Sequence, residues 1–170
     1  MSSSQLTEAV DKKALPQRVF NEILSGGRLE LIDEIVAPAF RLHSPTRPEP
    51  FEGPDGFRGF VTDLRRGFPD LSITIEQVIG EGDYVSIRSR VAGTHLGTYR
   101  GIPPTGRKID QTQLHMFRVV DGQINETWQE IDGLGIMQQL GVFPRGNPPK
   151  PLMWVVVKLQ KIGRRKRRES

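Results

Sequence analysis

The hydrophobic repeat of this chain changes once, near Phe68-Pro69-Asp70, and the change divides it into a helical part and a sheet part. Before it, apolar residues recur three and four apart, the period of a helix with one buried stripe. Val19, Phe20, Ile23 and Leu24 mark a first helix, firm from about Pro16 because proline is tolerated only near a helix start, and ended by Gly26-Gly27. Leu31, Ile32, Ile35 and Val36 mark a second helix over 29–36, stopped by Pro38. Phe57, Phe60, Val61 and Leu64 mark a third, which Asp55 would cap and which Gly67 and Pro69 end. Between the last two, 40–43 reads as a short strand and 44–53, with three prolines, as a loop.

After the change the period is two. Leu71, Ile73 and Ile75 alternate with polar residues, a turn follows at 80–83, and 84–92 alternates again with Val85, Ile87 and Val91 on one face. A loop spans 98–106, strands are expected over 109–120 and 123–131, and a short last helix over 134–140. Helices first and antiparallel strands after make an α+β pattern. At 170 residues this is one domain, placed at 6–146, with an extension over 147–170. A curved sheet wrapped on helices leaves a cavity, the setting for a hydrophobic small-molecule ligand.

Asp121-Gly122 between the last two strands is a strong hairpin signal, because both central residues of such a turn need positive φ. If Val120 pairs with Gln123, Phe117 faces Glu126, His115 faces Trp128, Gln113 faces Glu130 and Gln111 faces Asp132. All eight then share one face. This face is either a solvated sheet surface or a pocket wall, and two aromatics beside a His, two Gln and three carboxylates favour the wall. A carboxylate in such a wall has a raised pKa and can serve as acid or base.

Other chemistries find less support. There is no Cys, hence no disulfide, thiolate ligand or Cys nucleophile. His43 and His95 stand apart from one another, with no HExxH or HxH spacing, so no metal is expected. The segment 101–108, GIPPTGRK, lacks the ending of a phosphate loop and spends two residues on proline, which has no amide to donate. No organic cofactor is expected either.

The succession FPDL (68–71), GTHLG (93–97), GIPPTGRK (101–108), FRVVDGQINETW (117–128) and DGLGIMQQLG (132–141) resembles the SnoaL-like polyketide cyclase, or ester cyclase, family over roughly 15–142. The resemblance implies the cone-shaped α+β fold of ketosteroid isomerase: three N-terminal helices on a curved, mostly antiparallel sheet enclosing a pocket. It implies cofactor-independent acid/base chemistry, an intramolecular aldol-type ring closure of a polyketide-like intermediate. By motif position Asp132 is the acid/base and His115 its partner. His43, His95, Gln111, Gln113, Phe117, Trp128 and Glu130 are the substrate-binding candidates. The chain departs from the family in having Ala39-Phe40 where an acidic residue is frequent, and in its long basic end. Relatives also open epoxides to cyclic ethers or isomerise, so both remain alternatives, as does a non-catalytic binding protein.

The family's sheet-mediated dimers imply a homodimer. Net charge is +4, but seven basic residues lie within 158–168, and the rest of the chain is slightly acidic. Nucleic acid is therefore not an expected partner. The end segment LMWVVVKLQKIGRRKRR (152–168) reads either as a solvated extension or as a weak contact with a membrane surface or protein partner. With no apolar h-region near Met1 and no spanning run, the expected location is cytoplasmic.

Overall fold

The computed structural model describes residues 12–144; the basic extension over 147–170 lies outside the described residues. Helix α1 (12–25) ends in a widened, π-type stretch, Val19–Ser25, that buries Val19, Phe20, Ile23 and Leu24. Helix α2 is a 3₁₀ turn, Leu29–Leu31, leading into Ile32–Ile35. Then come β1 (Val36–His43), β2 (Phe51–Glu52), α3 (Gly53–Gly67), β3 (Ser72–Glu81), β4 (Tyr84–Thr94), β5 (Lys108–Val120), β6 (Gln123–Ile131) and α4 (Gly133–Gln139). The six strands form one sheet in the order β2-β1-β6-β5-β4-β3, antiparallel except for the β1–β6 pair.

The expected order of elements holds, with local differences. Pro38 does not stop a helix; it lies inside β1, where β1 has no β2 neighbour because β2 pairs only at Arg41 and Leu42. A proline there removes no ladder hydrogen bond on that side. Helix α3 opens on Gly53-Pro54 rather than on an Asp55 cap, and Asp55 instead faces solvent in the first turn.

The Asp121-Gly122 turn forms as expected, with φ of 52° and 73°. The register beyond it does not. Val120 pairs with Gln123 and Val119 with Ile124, but Arg118 pairs with Glu126, so Asn125 is an extra residue on β6. Its side-chain amide donates to the carbonyls of Val120 and Gln123, both at 3.1 Å, which holds the bulge. From there on His115 pairs with Gln129, Met116 with Trp128 and Leu114 with Glu130. One added residue moves every later side chain of β6 to the other face.

Candidate active site

Helices α1 and α3 lie across the concave side of the sheet and leave a cavity between them. Its walls are mostly apolar: Phe20 from α1, Phe57 and Phe60 from α3, Phe117 from β5, Ile131 from β6 and Ile136 from α4. The polar groups among them are Gln113, His115, Thr127, Gln129 and Tyr99. No carboxylate lines the cavity among the described residues.

His115 is the group with acid/base capacity at ordinary pH. It is 6% exposed, with the edge of Phe20 at 5.0 Å and the stacked ring of Phe117 at 6.0 Å between centroids. Burial pushes its pKa down to about 4, because an imidazolium loses its hydration there; a hydrogen bond with Gln129 opposes the shift and is the weaker effect. Nδ1 has no protein partner. We assign the Gln129 contact to Nε2–H facing the Gln129 carbonyl, because Nδ1 is unpaired and the Gln129 amide nitrogen is given to Ser44. The neutral tautomer so fixed leaves a lone pair on Nδ1.

Gln129 is held in turn. Its Nε2 donates to Ser44 Oγ at 2.9 Å. Ser44 Oγ also accepts weakly from the Thr46 amide, 3.4 Å away, and lies 2.8 Å from Thr46 Oγ1, to which its own proton is free to go. Ser44 follows β1, whose parallel register sets His43 beside Trp128 and so brings the next residue alongside Gln129. The Thr127 hydroxyl is buried without a partner, as are both amide atoms of Gln111.

The bulge divides the expected site residues between two faces. Gln111, Gln113, His115 and Phe117, all on β5, face inward, and all but Gln111 line the cavity. Trp128 and Glu130 do not; they lie on the outer face. There His43 stacks flat on Trp128 (5.5 Å, 8°) and His43 Nε2 lies 2.9 Å from Glu126 Oε1. His43, Trp128 and Glu130 border a separate surface groove. Asp132 is past the end of β6 and exposed, and its Oδ1 accepts from the Gly135 amide at 2.8 Å, capping α4. The shared wall of His115 with Trp128, Glu130 and Asp132 is thus corrected, the cause being Asn125.

His95 is fully buried against Phe68. Its Nδ1 accepts from the Thr105 amide at 3.3 Å, which puts the ring proton on Nε2, and burial lowers its pKa. It supports the loop behind Tyr99 rather than lining the cavity. The site residues not anticipated from sequence are Gln129, Thr127, Ser44 and Tyr99. Ile124 and Ile131, both inward, are separated by an odd number of positions; in a strand that spacing signals a bulge between them.

A cone of helices and sheet around an apolar cavity, with a few neutral polar groups and one buried imidazole, defines a small-molecule enzyme scaffold. The SnoaL-like polyketide cyclase family model matches residues 14–140, and the chain belongs to that family; its named curated relatives are cyclases. It is 32% identical over 126 residues to the aklanonic acid methyl ester cyclase DauD of Streptomyces sp. (strain C5), covering 71% of this chain and 75% of that one. It is 31% identical over 116 residues to the nogalonic acid methyl ester cyclase of Streptomyces nogalater, covering 68% and 87%. Among solved structures, a SnoaL-like protein of Jannaschia sp. CCS1 superposes with a TM-score of 0.73 at 29% identity, over 80% of this chain and 95% of that one.

Proposed function

We propose that this protein closes a ring in an apolar, polyketide-like intermediate by an intramolecular aldol-type step, with His115 as the general base. The observation that carries this reading is the unpaired Nδ1 of a neutral, buried imidazole in a cavity that no carboxylate lines among the described residues. Nδ1 takes a proton from a carbon activated by flanking carbonyls. The enolate carbon attacks a carbonyl carbon of the same molecule, one C–C bond forms, and the resulting alkoxide recovers the proton from the imidazolium. The balance needs no oxidant and no cofactor.

A pKa of about 4 makes His115 a weak base in the empty cavity. An enolate forming beside it changes that, since an opposite charge in a desolvated site favours the imidazolium. The attraction exists in the transition state and not in the ground state, which is the condition for lowering a barrier. Gln113 and the orphan Thr127 hydroxyl are the donors that would hold the carbonyl and enolate oxygens. An unpaired buried hydroxyl costs about 1–3 kcal/mol, so its retention is economical if a ligand meets it. The phenylalanine walls fold the substrate on itself; such positioning must supply much of the rate, because acid/base catalysis alone gives only about 10²–10⁴-fold.

The test compares His115→Gln with Asp132→Asn on a polyketide-like substrate. We expect the first to lower turnover about 10²-fold or more while the cavity still binds a neutral dye, and the second to stay within several-fold. The reverse pattern would return the base to Asp132.

We also propose a homodimer through the outer sheet face. The register aligns Ile79, Ser86, Met116, Trp128 and His43 in one row across five strands. Beside it stand Tyr84 and Leu114, 45% and 51% exposed. A second copy would cover this row.

A further inference from the structure

Two loops meet over the cavity wall at Phe60 and Tyr99, and they carry two arginines. Phe60 and Tyr99 belong both to the cavity wall and to an outer vestibule, where Arg47 and Arg100 stand with Asp63. The Arg47 guanidinium carbon lies 4.2 Å from the centre of the Phe51 ring, and that of Arg100 lies 5.2 Å from the centre of Tyr99. The one carboxylate of the vestibule is committed elsewhere, since Asp63 Oδ1 pairs with Arg66 at 2.9 Å. Neither Arg47 nor Arg100 has an ion pair among the described residues. Glu49, in the same loop as Arg47, bonds neither of them.

The backbone beneath Arg100 is unusual. Tyr99 and Ile102 exchange both backbone hydrogen bonds, at 3.1 and 2.9 Å, around Arg100 and Gly101, whose φ values are 51° and 77°. A two-residue turn with both central φ positive favours Asn or Gly in its first position. Arginine has no local advantage there. What the turn accomplishes is to lay a guanidinium over the Tyr99 ring at the cavity's edge.

We propose that the vestibule is an anion subsite, and that the substrate carries a free carboxylate at the end that remains in the mouth while its apolar body enters the cavity. The proposal rests on the small-molecule reading of the cavity given above and adds the substrate's charge. A guanidinium that lies against an aromatic ring still has N–H groups to offer a planar oxyanion. Tyr99 sits where the apolar wall gives way to this charged rim. The curated relatives are named for methyl esters, in which this charge is masked; two unpaired arginines fit the unmasked acid.

The experiment uses the full chain and N-phenyl-1-naphthylamine, a neutral dye whose fluorescence reports the cavity. Its displacement by 2-naphthoate and by methyl 2-naphthoate is measured for the wild type, Arg47→Gln, Arg100→Gln and the double variant, with Arg41→Gln, an exposed arginine on the outer sheet face, as control. We expect the double variant to weaken the acid about tenfold and to leave the ester and the dye within twofold. Arg100→Lys should recover part of the acid's affinity. Raising the salt concentration should weaken the acid in the wild type alone. Equal loss of acid and ester would make the arginines wall-formers and overturn the proposal, as would an acid affinity that no variant moves. A wild type that does not bind the dye would remove the cavity reading itself, and the proposal with it.

Discussion

Ser44, just past the end of β1, accepts a 2.9 Å hydrogen bond from the side chain of Gln129, and through it the loop after β1 sets the orientation of the imidazole in the cavity wall. Gln129 has two ends. With its nitrogen occupied by Ser44, its oxygen is presented to His115, and the ring's proton stays on Nε2.

Ser44 is therefore a positioning residue with a distinctive signature. Ser44→Ala should lower kcat about tenfold with little change in KM, because a freed amide can turn its nitrogen toward the ring and move the proton to Nδ1. The stability cost should be about 1 kcal/mol, that of one buried hydrogen bond. Ser44→Thr should restore kcat. A loss confined to stability would show that Ser44 only packs.

Acid stability offers a second check. His115 has a native pKa of about 4 against the ordinary histidine value of 6.5, so below pH 6.5 the unfolded chain takes up a proton that the native chain does not. The native state then loses stability as pH falls from 6.5 to 4, with no further loss from this group below that, on the order of 3 kcal/mol in all. His95, whose pKa is also lowered by burial, adds in the same direction. Denaturation midpoints measured between pH 7 and 5 should fall less steeply for His115→Gln than for the wild type; parallel curves would mean that the imidazole is not desolvated.

Asp132 should behave as a helix cap. Asp132→Ala is expected to cost about 1 kcal/mol, and Asp132→Asn almost nothing, since asparagine caps as well. Thermal melts of the two variants distinguish this from a desolvated carboxylate, whose removal would stabilise the protein.

The outer row of apolar residues can be tested by charge. Met116→Glu together with Leu114→Lys should turn a dimer into a monomer in sedimentation while preserving the cavity's dye binding. If the wild type sediments as a monomer at tens of micromolar, the outer face has no partner copy.

The sequence carried the order of elements because hydrophobic period is a local property, and the switch from 3.6 to 2 survives any tertiary context. It carried the inward face of β5 for the same reason: Ile109, His115, Phe117 and Val119 keep one parity throughout. The turn was readable too, since Asp-Gly has a conformational cause. What failed was extrapolation along β6. A register inferred at a turn holds only until the first extra residue, and Asn125, a poor strand former, was that residue. Ser44, Arg47, Tyr99 and Arg100 were out of reach for a different reason. They sit on proline- and glycine-rich loops that have no period, and only the parallel β1–β6 pairing and the Tyr99–Ile102 turn bring them to the site.

The bulge at Asn125 also sets the terms on which this enzyme can be rebuilt. In β6 the inward set depends on whether the extra residue stays out of the ladder, not on how many residues separate the turn from Thr127. Deleting Asn125 would straighten the strand and leave Thr127 and Gln129 looking into the cavity, because every pairing beyond the bulge is already that of the shorter strand. Keeping Asn125 while ironing out the bulge would turn the wall inside out and present Glu126, Trp128 and Glu130 to the substrate. A designer who wants an acidic cavity thus has one on the back of the same strand, a single residue of slippage away, without introducing any new side chain.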